Sequence, residues 1–187
     1  GLAASDKSDK TGGKGKGSKG GKGNKSKEPE LILDENQPMF TRLDLKVGRI
    51  VKVWEHPTAD RLYCEQIDVG EESPRQIVSG LREHYTMEEM DQKLVIVVCN
   101  LKESKLQGVV SSGMVLCSKK DGKVELLQVP DTCHVGDIVV STALHANATI
   151  TTNTTAINSD ELPVRWPANK VKKLKIWESI QEKLSTN

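Results

Sequence analysis

Residues 100–113, NLKESKLQGVVSSG, bring together side chains that can bind an anion. Lys102 and Lys105 lie three residues apart, and Gly108 and the pair Ser111–Ser112 follow, with Met114 directly after the stretch. Ammonium and hydroxyl groups contact phosphate and ribose, including the 2′-hydroxyl, and they read the shape of a folded RNA rather than its base sequence. We therefore interpret this stretch as a nucleic-acid-binding loop.

Catalytic chemistry finds little support in the sequence. The four histidines have no metal-ligand spacing, and there is no nucleophile elbow, phosphate-binding glycine loop or zinc-protease motif. The Gly/Lys-rich start imitates a glycine loop but lacks a preceding strand and a following helix. We expect a binding module rather than an enzyme, with no cofactor and no catalytic or metal-binding residues.

Aromatic side chains are also too few for a base-stacking platform. The chain has three Trp, two Tyr and one Phe. Single-stranded nucleic acid is usually held by stacking bases on such rings. Recognition of a folded RNA through its backbone is therefore the better match to this composition.

The charge is distributed unevenly along the 187 residues. The first thirty hold eight lysines against four acidic residues, whereas the other 157 hold 19 Lys and Arg against 22 Asp and Glu. The start is rich in Gly and Ser and poor in bulky apolar residues, so we predict a disordered basic tail or linker over residues 1–36. The four cysteines lack C-x-x-C spacing, and no signal peptide or membrane span is evident, which favours a cytoplasmic protein.

Alternation of apolar and polar residues predicts a β-rich domain. Apolar side chains occupy every second position from Leu43, and Gly48–Arg49 interrupts this pattern as a bulge or sharp coil would. Thr86 and Glu89 form a capping-box signature for a short helix. Residues 94–99 are apolar on both faces and predict a central strand. The other predicted strands cover residues 62–69, 75–79, 114–118, 124–129 and 137–140.

This order of elements predicts the fold class. Three strands, a helix and two strands is the order of the OB-fold, a partly open five-stranded barrel whose ligand loops join strands 1 and 2 and strands 4 and 5. We therefore predict an all-β, five-stranded OB-fold barrel over residues 37–142, with a short helix between strands 3 and 4. The loops would be residues 56–61, HPTADR, and residues 100–113. A small β-domain without a ligand remains the alternative.

A C-terminal extension over residues 143–187 is predicted to end in an amphipathic helix at 170–184. Asn169 is its expected N-cap. Apolar residues recur every three or four positions along it. Lys170, Lys172 and Lys173 would crowd the positive end of the helix dipole, where a bound anion would relieve their repulsion. A solvated basic face on a docking helix is the other interpretation.

Several motifs in order carry a family resemblance. They are LDLKVGRI (43–50), HPTADRLY (56–63), IDVG (67–70), RQIVSGL (75–81), CNLKESKLQGVVSSGMVL (99–116) and KIWESIQ (175–181). Together they resemble the tRNA-binding domain of the endothelial-monocyte-activating polypeptide family. That domain is similar to the structure-specific tRNA-binding protein of bacteria and to C-terminal domains appended to some methionyl- and tyrosyl-tRNA synthetases. The resemblance covers residues 41–140 and, more weakly, 163–187.

The resemblance implies an OB-fold that binds the outer corner of the tRNA L-shape with little regard to tRNA identity. The residues that match the family's contact motifs are Asn100, Lys102, Lys105, Ser111 and Met114. In the 56–61 loop it leaves His56 to pack or hydrogen-bond, while Pro57 fixes the turn and Asp60 can accept from backbone N–H groups. In eukaryotic relatives a segment after the barrel covers the surface through which the bacterial protein dimerises, so a monomer and a homodimer both remain open.

Two functional hypotheses follow. In the first, the chain is a non-catalytic, structure-specific tRNA-binding module that raises the tRNA affinity of an attached or associated aminoacyl-tRNA synthetase. Its contacts would include Lys46 and Arg49 on strand 1 and the C-terminal Lys170, Lys172 and Lys173. In the second, it is a protein-interaction or cytokine-like module of the same family with little tRNA binding.

Overall fold

The computed structural model describes residues 33–141, 150–151 and 164–184. Their strands are β1 Leu45–Glu55, β2 Tyr63–Asp68, β3 Arg75–Ser79, β4 Leu94–Val98, β5 Ser104–Leu106, β6 Val109–Ser111, β7 Met114–Val115, β8 Cys117–Lys120, β9 Lys123–Leu126, β10 Val140–Ser141 and β11 Ile150–Thr151. Their α-helices are α1 Met87–Met90, α2 Ala168–Lys173 and α3 Ile176–Leu184, and a 3-10 helix, Met39–Arg42, precedes β1.

Five strands form an antiparallel sheet in the order β3-β2-β1-β4-β7. The two edges approach each other, since the Ser112 N–H just before β7 donates to the Gln76 carbonyl on β3 at 2.9 Å. The sheet is therefore a nearly closed barrel, and the predicted all-β, OB-like fold class is confirmed. The single turn α1 lies between β3 and β4, where Thr86 and Glu89 make both hydrogen bonds of a capping box.

Two apolar clusters occupy the two faces of β4. Val95 and Val97 pack inside the barrel with residues such as Ile77, whereas Ile96 and Val98 pack in a second cluster with Leu45 and Val47 of β1. A strand buried on both faces needs apolar residues throughout, which explains the continuous run that predicted a central strand.

The bulge in β1 lies slightly later than the sequence suggested. Gly48 stays in register opposite Val95, and the irregularity in pairing with β2 falls between Ile50 and Lys52. Gly48 has a different explanation: a Cβ atom there would lie 2.7 Å from the Ile67 side chain. The glycine permits close packing across the sheet, and the prediction of a break at Gly48–Arg49 is wrong.

The C-terminal helix of the prediction is two helices. α2 begins at Ala168, with Pro167 rather than Asn169 at the N-cap, and the chain breaks at Lys175, where φ is +49°. Val171, Ile176 and Ile180 pack with Trp166 in the second apolar cluster. The apolar face of β1 and β4 outside the barrel is therefore covered by residues of the same chain.

Candidate nucleic-acid interface

The connection between β4 and β7 is a defined hairpin rather than an open loop. β5 and β6 pair through Leu106↔Val109, and Gln107 and Gly108 form the turn with φ values of 47° and 92°. Positive φ at both central residues is the backbone of a type I′ turn, which matches the twist of paired strands. The residues from Lys102 to Gly108 are all exposed, so the hairpin stands out from the barrel.

Side chains of β3 fix the base of this hairpin. The Gln76 Nε2 donates to the Val110 carbonyl at 2.8 Å. The Arg75 Nη1 donates to the carbonyl oxygens of Cys99 at 2.7 Å and Ser112 at 2.9 Å, which lie at the two ends of the connection. The guanidinium is itself held by Glu71, through bonds of 2.7 and 2.8 Å.

The 56–61 loop supports the turn of the same hairpin. His56 is buried, its Nδ1 accepts the Thr58 N–H at 3.2 Å, and its Nε2 lies 3.2 Å from the Leu106 carbonyl oxygen. With Nδ1 as an acceptor, the Nε2–H group is the donor of the hydrogen bond to the Leu106 carbonyl oxygen. His56, rather than Asp60, thus accepts a backbone N–H in this loop. His56 also joins the two predicted ligand loops.

Lys102 and Lys105 are exposed and, among the described residues, neither makes an ion pair or hydrogen bond. The pairing of the hairpin puts them on different sides. Ser104, Leu106 and Ser111 share the face that lines a cavity with Lys102, whereas Lys105 lies opposite Val110 on the other face. The two lysines, three residues apart in the sequence, therefore lie on different faces of the hairpin.

Ser111 and Asn100 have their hydrogen-bonding groups engaged within the protein. Ser111 is 2% exposed, accepts the Val78 N–H at 3.0 Å and donates to the Gly113 carbonyl at 3.0 Å. The Asn100 amide donates to the carbonyls of Arg42 and Trp166 and accepts the Asp44 N–H. Both side chains position the backbone of the hairpin and its neighbours. Met114 is half-buried and lines the cavity.

The strand-1 cations predicted to contact RNA already have partners. Lys46 Nζ lies 3.1 Å from Glu71 and 4.0 Å from Asp44, and Arg49 donates to the Gln92 carbonyl at 3.0 Å. The hydrogen bond from Arg75, and then that from Lys46, lower the pKa of Glu71 to about 2. The carboxylate is ionised at neutral pH, so Lys46 is bound in a charge network beside the hairpin.

The lysines of the C-terminal extension lie at the C-terminal end of a helix, not at the N-terminal end as predicted. Lys170, Lys172 and Lys173 occupy the last turn of α2 and are exposed. Cations there stabilise the negative end of the helix dipole. The argument that repulsion at a helix N-terminus would recruit an anion is therefore wrong, although these lysines stay candidates through their exposure.

A second hairpin, β8–β9, borders the same region. The predicted strand 114–118 divides at Leu116: β7 completes the barrel, and β8 leaves it to pair with β9 around the Asp121–Gly122 turn. Lys119 and Lys120 are exposed near its tip and make no ion pair among the described residues. A cavity of about 430 Å³ separates the two hairpins.

A buried carboxyl group lies behind this region. Glu65 on β2 is 0% exposed; its Oε1 accepts a hydrogen bond from the Ser79 hydroxyl, and its Oε2 has no hydrogen-bond partner in the described structure. Burial raises the pKa of Glu65 to about 8. Burial also raises the pKa values of the Cys99 and Cys117 thiols to about 11, which keeps both in the unreactive protonated form.

Sequence reasoning missed the residues that support the site. They include Glu65 on β2, Arg75 at the start of β3 and Glu71 between these strands, none of which the sequence motifs mark as part of a site. Gly113 also fits closely, since a Cβ there would lie 3.0 Å from the Val98 carbonyl oxygen and 3.1 Å from the Ile77 side chain. Glu71 and Arg75 carry opposite charges on either side of a short turn, and this is the local sign of their pairing. Within the described residues, no group of His, Cys, Asp and Glu could hold a metal ion, and none of the helices has the length and apolar character to cross a bilayer.

Comparison with known proteins defines the class to which this barrel belongs. Residues 45–138, half of the chain, match the family described as "Putative tRNA binding domain". The chain belongs to this tRNA-binding domain family.

Individual relatives agree with that assignment. The chain is 40% identical over 147 residues to the aminoacyl tRNA synthase complex-interacting multifunctional protein 1 of Cricetulus griseus, covering 79% of this chain and 36% of that protein. It is 52% identical over 99 residues to the cytoplasmic methionine–tRNA ligase of Caenorhabditis elegans, covering 53% of this chain and 11% of that protein. This chain thus spans little more than a third of one relative and about a tenth of the other.

Solved structures give the same picture. The C-terminal domain of Plasmodium vivax p43 aligns with a TM-score of 0.54 and 44% identity, covering 58% of this chain and 66% of that one. The MetRS related protein from Pyrococcus horikoshii aligns with a TM-score of 0.52 and 32% identity, covering 59% of this chain and 99% of that one.

Proposed function

We propose that this chain is a non-catalytic module that binds the outer corner of folded tRNA through the β5–β6 hairpin. The observation that carries the proposal is that exposed charges lie on a connection whose backbone is held in place. Lys102 and Lys105 have no partner among the described residues, while Arg75, Gln76 and His56 hydrogen-bond to the backbone of the connection that contains them. A rigid hairpin offers its cations at a constant spacing, which suits a folded polyanion better than a flexible one.

Recognition in this proposal depends on shape rather than base sequence. Lysines neutralise phosphates, and the backbone and hydroxyl groups nearby contact ribose. Ser111 and Asn100 contribute by holding the hairpin and the end of β4, and Met114 offers an apolar surface beside Lys102. The exposed lysines of α2 would extend the basic surface.

We further propose that the module raises the tRNA affinity of an aminoacyl-tRNA synthetase to which it is attached or bound, in the cytoplasm. The relatives are named as cytoplasmic tRNA ligases and as a protein that interacts with a synthase complex, which supports this partner class. The lysine-rich first thirty residues would add attraction that is independent of sequence and falls steeply with salt.

A monomer is the state that the second apolar cluster supports. Trp166, Val171, Ile176 and Ile180 cover the outer face of β1 and β4 from within the chain. An apolar surface already covered in this way does not need a second copy.

A filter-binding comparison of whole tRNA, a plain RNA duplex and single-stranded RNA at one salt concentration tests the proposal. Whole tRNA should bind most tightly because it alone presents the corner. Equal affinity for all three would contradict shape recognition and leave only electrostatic attraction. No binding to any of them would favour a protein-interaction or cytokine-like role.

A further inference from the structure

The cavity between the two hairpins has the size and lining of a small-molecule site. Its volume is about 430 Å³, inside the range of roughly 300–1,000 Å³ typical of ligand pockets. Most of the lining side chains are apolar; they include Leu81, Leu101, Met114, Val115 and Val124. Among the described lining residues, Lys102 is the one charged side chain.

The pairing of β8 with β9 puts a second cation on the side of that hairpin that faces the cavity. Residues directly opposite each other in an antiparallel pair, and residues two apart along a strand, share one face. Lys119 lies opposite Val124 and two residues after Cys117, and both of these line the cavity. Lys119 thus shares the cavity-facing side of the hairpin, whereas Lys120, opposite Lys123, lies on the other side.

The described residues that line the cavity include no Asp or Glu, and the nearest carboxyl group behind its wall belongs to Glu65. Ser79 lines it, and the Ser79 hydroxyl donates to Glu65. Burial of that carboxyl raises its pKa to about 8, so the group is mostly neutral at pH 7. An apolar recess with cations on two opposing rims and a neutral floor complements a flat base whose flanking phosphates lie at the rims.

We propose that this cavity takes one unstacked nucleobase of the bound tRNA, with the neighbouring phosphates on Lys102 and Lys119. This inference rests on the proposed tRNA-binding function. It adds the β8–β9 hairpin to the proposed binding surface. Loops of folded RNA offer unstacked bases that proteins bind in such recesses. The cost of unstacking is least for a base that is already exposed at the tRNA corner.

The decisive measurement is the methyl resonance of Met114 in the full chain, labelled with 13C at methionine methyl groups and titrated with unfractionated tRNA. A base stacked against that methyl group shifts its proton resonance upfield through the ring current. Met39 and Met87 lie outside the cavity lining and serve as internal references. Saturable tRNA binding without movement of the Met114 resonance would overturn the base pocket and leave the proposed function standing, whereas absence of binding would overturn both.

Two pairs of matched variants test the rims. Lys119→Ala should weaken tRNA binding by roughly three- to tenfold, as expected for one lost charge-assisted contact, while Lys120→Ala on the opposite face should not. Ser104→Asp adds a negative charge on the cavity side, and Ser118→Asp adds the same charge on the far side of β8. Equal effects within either pair would contradict the pocket, since they would reflect net charge alone.

A protein partner is the competing occupant. A short acidic peptide with two leucines, titrated in the same experiment, would detect it. Movement of the Met114 resonance with that peptide but not with tRNA would assign the cavity to a protein and overturn the proposal.

Discussion

Arg75 donates from Nη1 to the Ser112 carbonyl oxygen at 2.9 Å, and the same nitrogen reaches the Cys99 carbonyl oxygen at 2.7 Å. One guanidinium group therefore joins the two ends of a connection whose middle is exposed. Glu71 fixes its orientation with two further hydrogen bonds. The proposed RNA-binding hairpin is closed at its base by a residue that need not touch RNA.

Replacing Arg75 with lysine keeps the charge but removes the planar group that spans both carbonyls. We expect Arg75→Lys to weaken tRNA binding by about tenfold, the effect of roughly 1.4 kcal/mol of lost hairpin order. Hydrogen exchange of the hairpin amides should become faster while the barrel core remains protected. Arg61→Lys is the control, since the Arg61–Glu83 pair is exposed. Unchanged exchange at 104–111 would exclude the positioning role.

The salt dependence of tRNA binding should distinguish lysines that contact phosphate from a lysine that is paired within the protein. Lys102→Ala and Lys105→Ala should each reduce the slope of log affinity against log salt by roughly one, because each removes a phosphate contact. Lys46→Ala should change the slope much less, since Lys46 is paired with Glu71 and Asp44. Thermal melts should show that all three variants remain folded. Equal slopes for the three variants would mean that Lys46 exchanges its carboxylate partners for phosphate.

Asn100 should act on stability rather than on RNA contact. Asn100→Ala removes three hydrogen bonds, to Asp44, Arg42 and Trp166, and we expect a loss of roughly 2–4 kcal/mol in the free energy of unfolding. Since one partner is Trp166, its fluorescence should report loosening of the C-terminal segment. Well below the melting temperature, tRNA affinity should fall less than in Lys102→Ala. A loss of affinity without a loss of stability would instead support direct contact.

The barrel could be predicted from sequence because its signals are local. The alternation in β1, the two-faced apolar run of β4 and the capping box before α1 each reflect a neighbourhood of a few residues, and the structure contains the corresponding elements. The break at Lys175 could not be predicted. The apolar period continues through it, and packing of Val171 and Ile176 on the barrel decides the geometry.

The location of the site could be predicted from the sequence. Which of its side chains face solvent and which form hydrogen bonds within the protein could not. The motif identified residues 100–114, but whether a polar side chain faces solvent depends on strands distant in sequence. The Ser111 hydroxyl is hydrogen-bonded to Val78, 33 residues earlier, and the Asn100 amide to Trp166, 66 residues later. The faces on which Lys102 and Lys105 lie depend on the register of the β5–β6 hairpin, whereas the sequence predicts only a loop at this position.

The buried Glu65 should make the stability of the barrel depend on pH. Below about pH 4.5 the carboxyl is protonated in both the folded and the unfolded chain. Between there and its folded-state pKa of about 8, the unfolded chain releases this proton and the folded chain keeps it. Stability therefore falls with rising pH, by up to about 1.4 kcal/mol per unit, and levels off at higher pH.

Glu65→Gln removes this titration while keeping the shape of the side chain and an acceptor for Ser79. Urea unfolding of both proteins from pH 5 to 9 should give a steeper decline for the wild type, and the difference between the curves isolates Glu65 from the histidines that both proteins share. Exposed Glu72→Gln is the matched control and should follow the wild-type curve. Parallel curves for the wild type and Glu65→Gln would show that the buried carboxyl is ionised in the folded protein, and the neutral floor inferred for the cavity would then be lost.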